Sequence, residues 1–216
     1  MRRFFIFDEY NTWYDWRLTL TSKSVGCPTP MTKYISLEGV SGTLDLTEAL
    51  TGEVEFNDIN LSASFMCSEG TYEEREALLT NIVLALHGKK IKIVEPDDTE
   101  HYFLGRVKVK TVKRHSAYIE FTLEATCDPW RYSQHETERT IQVNGAVDVV
   151  IHNYGRRTLC PVLKVVGTVS ITTNGVTTTL TDGSFKVASL RLRQGANVFA
   201  FDGSGSVTLV YREASI

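Results

Sequence analysis

Thr122-Leu123-Glu124-Ala125-Thr126-Cys127-Asp128-Pro129-Trp130-Arg131-Tyr132 is the stretch on which the reading of this chain turns. Its first half alternates as a half-buried strand does, and its second half is an aspartyl-proline corner flanked by aromatic rings. Proline fixes its own φ and pushes the preceding residue out of the helical region, so the chain must change direction here. Upstream lie charged strands and a single convincing helix; downstream lie only short alternating runs separated by turn dipeptides. The stretch therefore reads as a hinge between two unlike domains, residues 1–134 and 135–216. Cys127, Asp128, Pro129, Trp130 and Tyr132 form the expected interdomain corner, with Trp130 and Tyr132 expected to pack between the domains.

A chain of 216 residues, 42% hydrophobic and 23% charged, has room for two cores and shows no bias toward disorder. No apolar run approaches the roughly 18 residues of a membrane span. The opening Met1-Arg2-Arg3-Phe4-Phe5-Ile6-Phe7 imitates a signal peptide, but its apolar run stops at Asp8-Glu9. Cys27, Cys67, Cys127 and Cys160 are widely spaced, with no Cys-x-x-Cys pair, and read as reduced, mostly buried thiols. Charge is segregated. Residues 38–76 hold ten acidic residues and one basic residue, Arg75, whereas residues 89–114 hold eight basic and four acidic. That pattern fits a solvated surface or two complementary faces of a head-to-tail assembly.

In the first domain, aromatics from Phe4 to Trp16 read as core or subunit interface, with Trp16–Leu20 as a strand. Cys27-Pro28-Thr29-Pro30 is an extended connector. Short strands are expected at 34–37, 54–56 and 59–66, with a turn or bulge of a long hairpin at 39–46. The helix spans 72–87: Thr71 and Glu74 complete a capping box, Leu78, Leu79, Ile82, Val83 and Leu86 make an apolar stripe, and Gly88 follows as a stop. From Arg106 the alternation is strict. Arg106, Lys108 and Lys110 share one face and are the expected subunit-interface residues; Val107 and Val109 share the other. A nucleic-acid contact for this row is the weaker reading in a chain of net charge −3 with no recognisable nucleic-acid module.

After the corner, Asn144-Gly145, Asn174-Gly175, Asp182-Gly183, Gly195-Ala196-Asn197 and Asp202-Gly203 divide the chain into short strands. The runs expected are 140–143, 147–151, 162–166, 169–173, 176–180, 185–192, 198–201 and 207–211, an antiparallel sandwich. The fold class is thus mainly β with one helix.

Chemistry-bearing constellations are missing from the sequence. The five histidines make no metal-binding spacing, and there is no Gly-x-Ser-x-Gly elbow. Glu120 and Glu124 lie at even spacing on the polar face of one strand, where solvation is the commoner role. Cys127, at a strand end beside proline, reads as structural rather than nucleophilic. No catalytic residue, cofactor or metal is assigned.

The chain resembles the distal tail proteins of long, non-contractile-tailed bacteriophages. Three segments carry the resemblance: Asp15-Trp16-Arg17-Leu18 through Ser24; Pro30 through Tyr34 to Gly39-Val40-Ser41-Gly42-Thr43-Leu44-Asp45-Leu46-Thr47; and Gly88-Lys89 through Tyr102-Phe103-Leu104-Gly105-Arg106-Val107 to Cys127-Asp128-Pro129-Trp130. Where relatives often carry arginine after the asparagine near Phe56-Asn57, this chain carries Asp58. The resemblance implies a non-enzymatic homo-hexameric ring around the DNA channel, joining the tail tube protein to the tail-tip hub protein, with a receptor-binding protein as a further partner. It also implies an outward-pointing, galectin-like C-terminal sandwich, a place in the virion tail after assembly in the host cytoplasm, and no membrane contact. A conduit for DNA must not hold it, so the channel lining is expected from the acidic 38–76 region rather than from the Arg106, Lys108, Lys110 row. A carbohydrate-binding adhesion module and another tail-tube or baseplate subunit are the alternatives.

Overall fold

The structure, a computed structural model, describes residues 4–39, 41–173 and 175–216, which form two compact units: Met1–Trp130 together with Ile216, and Arg131–Ser215. The first unit contains β1 (Ile6–Phe7), β2 (Tyr10–Asn11), β3 (Thr19–Val25), β4 (Tyr34–Ser36), β5 (Thr43–Asp45), β6 (Ile59–Cys67), α1 (Tyr72–Leu86), β7 (Lys90–Glu95), β8 (Asp98–Arg114) and β9 (Ile119–Cys127). Its main sheet runs β2-β1-β7-β8-β9-β6-β3 with every pairing antiparallel. Alternation decides the faces: Leu61, Ala63 and Phe65 of β6, Phe121 and Leu123 of β9 and Val107 of β8 enter one core with Phe5, Phe7, Trp16 and Leu18.

The helix lies on this core through Leu79, Ile82 and Leu86. Its start follows the capping box, Glu74 N donating to Thr71 Oγ1 and Thr71 N to Glu74 Oε2, which satisfies two amides that no helical carbonyl can reach. It ends one residue sooner than the stripe predicts, because His87 is already extended and acts as the C-cap. The strand expected from Trp16 begins only at Thr19: Arg17 adopts a positive φ of 52°, and Trp16 stacks flat on Tyr10. Residues 54–56 form no strand, and Phe56 makes only a single bridge to Pro30.

The second unit contains β10 (Arg131–Ser133), β11 (Thr137–Asn144), β12 (Val147–Asn153), β13 (Val162–Thr173), β14 (Val176–Leu180), β15 (Gly183–Lys186), β16 (Gly195–Tyr211) and β17 (Ala214–Ser215). The expected pairs 162–166/169–173 and 198–201/207–211 are each one continuous strand, β13 and β16. Asp202-Gly203, which reads as a turn, is a bend inside β16. Gly167, Gly203 and Gly205 all have positive φ, and the inward parity of β13 and β16 continues through them from Val165 to Val169 and from Phe201 to Val207. A methyl on Gly203 or Gly205 would strike the carbonyl oxygen of Thr168 or Val166, so only glycine lets the two long strands bend against each other.

Beyond the bend, β16 changes partner. Its first half pairs with β12 and its second half with β11, so Asn144-Gly145 passes the chain from one half of the sheet to the other instead of closing a hairpin. Both halves send side chains into one core, including Ile141, Ile151, Leu163, Phe199, Phe201 and Leu209. The expected 185–192 strand stops at Lys186; Leu190 is buried after a turn in which its N donates to Val187 O, and Leu192 is buried in a single antiparallel bridge to Leu159. In the β13–β14 hairpin, Thr173 stands opposite Val176; Asn174 of the expected turn lies outside the described residues.

Candidate assembly surface

The corner residues are held by contacts that only a folded sheet can supply. Cys127 ends β9 opposite Gly105, where any Cβ would collide with its sulfur, so the Gly-Arg of β8 provides the seat for this thiol. Burial first, then the negative charge of Asp128 and Asp58, pushes the Cys127 thiol up to about 12, which keeps it protonated at neutral pH. Asp128 N donates to Leu104 O at 2.9 Å, and Lys90 Nζ donates to Asp128 Oδ1 at 2.6 Å. Trp130 meets Phe56 edge to face, ring centroids 5.7 Å apart. Tyr132 belongs to the second unit, where Arg157 donates to its hydroxyl and lies over its ring. Pairing of Tyr132 with Ala214 and donation from Arg212 Nη1 to Ser133 O and Gln134 O fasten β10 there.

The three cations of β8 have unequal freedom. Arg106 donates through Nη1 to Gly88 O beyond the helix end, and Lys110 Nζ lies 3.0 Å from Glu124 Oε1. Lys108 stands opposite Glu124 in register and has no ion pair within 4.0 Å among the described residues. Farther along, Arg114 makes two bonds to Glu76 of α1, which hold that carboxyl below its usual range. Part of the charge segregation is therefore consumed inside the subunit; all three members of the row are exposed, and Lys108 is the one without a hydrogen bond or ion pair among the described residues.

The strand expected at 34–37 and the hairpin expected through 39–46 appear as β4–β5, with Val40 outside the described residues; what the residues do not announce is the exposure of this hairpin. Both strands are exposed along their whole length, with Tyr34 opposite Asp45, Ile35 opposite Leu44 and Ser36 opposite Thr43. It is rooted beside the corner: Met31 N donates to Glu55 O, Asn57 N to Thr29 O, and Phe56, which bridges Pro30, carries the ring of Trp130. Each of its strands is only three residues long, too short for alternation to reveal that no core receives them.

In the second unit Phe199, Phe201 and Tyr211 are buried and Phe185 packs against the core, whereas Tyr154 is exposed and stacks on His152. Among the described residues no group of three His, Cys, Asp or Glu side chains converges as a metal site, and no helix is long and apolar enough to cross a membrane.

No family model and no curated protein matches the chain by sequence. Among solved structures, it is similar to the Dit (gp 19.1) protein of SPP1, described as a paradigm of the hub adsorption apparatus in phages that infect Gram-positive bacteria. The identity is 14%, the TM-score is 0.74, and the match covers 100% of both chains, so the two proteins share their fold from end to end.

Proposed function

We propose that the chain is a structural hub of a bacteriophage or prophage tail tip, without enzymatic activity. Six copies join head to tail in a ring that encloses the DNA channel between the tail tube protein and the tail-tip hub protein, with a receptor-binding protein as a further partner. The chain is assembled in the host cytoplasm and resides in the virion tail. The ring-forming part ends at the corner, the C-terminal part is the outward-pointing, galectin-like module, and the channel wall draws its side chains from the acidic 38–76 region beyond the β4–β5 hairpin rather than from the β8 cations.

The observation that carries this reading is the full-length fold match to the SPP1 hub protein. A single shared domain would say little, because folds host many functions; a match that uses both units of both chains supports a shared architecture. The segregated charge supports head-to-tail contact, since heterologous interfaces need unlike faces. Electron microscopy of the purified chain, with native mass spectrometry, tests the proposal. A single ring of sixfold symmetry at hexamer mass is expected. A stacked tube would assign the chain to the tail tube instead, and a monomer at all concentrations would refute the ring.

A further inference from the structure

We infer that the β4–β5 hairpin is an arm that each copy lays across the basic β8 strip of a second copy of the same chain. This rests on the ring reading above and names the element that makes it. Its side chains segregate by face. Ile35 and Leu44 pair directly, and Leu37 follows in the same parity, which makes one apolar face; Tyr34, Ser36, Thr43 and Asp45 make the other. The polar face is already satisfied within the arm. Thr47 and Tyr34 hydrogen-bond the Asp45 carboxylate and hold it below its usual range, Lys33 N donates to Thr47 Oγ1 and Leu46 N to Lys33 O. Among the described residues the apolar face has no such partner: Leu37 is 50%, Leu44 49% and the neighbouring Leu50 93% exposed, and none belongs to either core.

A two-stranded hairpin is marginal in water by itself, and a clustered apolar surface on a defined element marks an interaction site. The occupant follows from charge. Residues 31–55 carry Glu38, Asp45, Glu48, Glu53 and Glu55 against the single cation Lys33. Residues 106–114 carry five cations and no carboxylate; Lys110 and Arg114 are already paired with Glu124 and Glu76, and Lys108 is left unpaired among the described residues. A second copy brings the complementary strip at equal concentration. Arm and strip are different surfaces, so the contact is heterologous and repeats around a ring.

The test compares the full-length chain with Ile35→Ser/Leu44→Ser, whose targets lie on the arm and outside both cores. Native mass spectrometry should show the wild type assembled and the variant monomeric at the same concentration, its association at least about tenfold weaker, with an unchanged circular dichroism spectrum. Carbodiimide cross-linking of mixed isotope-labelled and unlabelled wild type should join Glu38 or Glu48 of one copy to Lys108 of the other. Assembly of the variant like the wild type, or cross-links only within one copy, would overturn the arm while leaving the ring intact. A wild type that never assembles would overturn the ring and the arm with it.

Discussion

Gly105 and Cys127 show how one missing atom positions a corner. The sulfur of Cys127 occupies the space a β-carbon at 105 would need, so Gly105→Ala should cost roughly 1–3 kcal/mol through overpacking. Cys127→Ala should recover part of that loss, giving a coupling above about 0.5 kcal/mol in a double-mutant cycle read by chemical denaturation. Additive losses would mean the sulfur is not the obstacle. The same burial predicts thiol reactivity. Cys27 is exposed, whereas Cys127 is buried with its thiol raised to about 12, so mass mapping after brief alkylation of the folded chain near pH 8 should find Cys27 modified and Cys127 intact. Arg75 is a third case, only 5% exposed: one guanidinium nitrogen reaches Gly70 O and another Ser116 O at 2.8 Å, tying the loop before the helix to the turn before β9.

At the scale of elements, the bend of β16 decides the second unit. Gly205 has φ 148° and its missing side chain points at Val166 O, so Gly205→Ala combines a strained backbone with a backbone clash, and a loss of about 3 kcal/mol is expected. Alanine at the exposed Gly145, which meets nothing within 4 Å, faces only the φ penalty and should cost less. Thermal melts of the two variants check the order. In the first unit, Lys23 of β3 reaches Glu95 at 2.6 Å and Asp97 at 2.7 Å beside the β7–β8 turn. Burial acts to lower the pKa of Lys23, but the hydrogen bonds to Asp97 and Glu95 prevail and raise it. A group whose folded pKa is raised contributes fully below its unfolded pKa and loses that contribution as pH rises through the folded value. The stability difference between wild type and Lys23→Met should therefore be constant through neutral pH and shrink above about pH 10; a difference that grows there would reverse the assignment.

For the whole molecule, in-chain pairing refines which charges can act between copies. Lys110 is engaged by Glu124 and Arg106 by the Gly88 carbonyl, so Lys108→Glu is the cleaner reversal. It should leave monomer stability within about 1 kcal/mol, since it only adds a like charge opposite Glu124 on an exposed face. Assembly at low salt should weaken and the deficit should narrow as salt screens it. Unchanged hexamer mass at low salt would remove the β8 strip from the interface.

Local chemistry made much of this protein legible from residues alone. The capping box at Thr71 and Glu74, the stripe from Leu79 to Leu86 and the alternation through Phe121, Leu123 and Ala125 are short-range signals, satisfied by neighbours a few residues away. The mainly β class with one helix followed from them, whereas the resemblance to distal tail proteins rested on three particular segments between Asp15 and Trp130. What the tertiary structure alone decided involves partners distant in sequence. Asp202-Gly203 reads as a turn until Thr168 is placed against it, and Asn144-Gly145 reads as a hairpin until β11 and β12 are both found on β16. Ile35 reads as an ordinary strand residue and Leu44 as part of a hairpin turn until the two are found paired and the core is seen to lie elsewhere. A turn dipeptide specifies a backbone bend but not the strand it meets, and an apolar side chain specifies burial but not which surface supplies it.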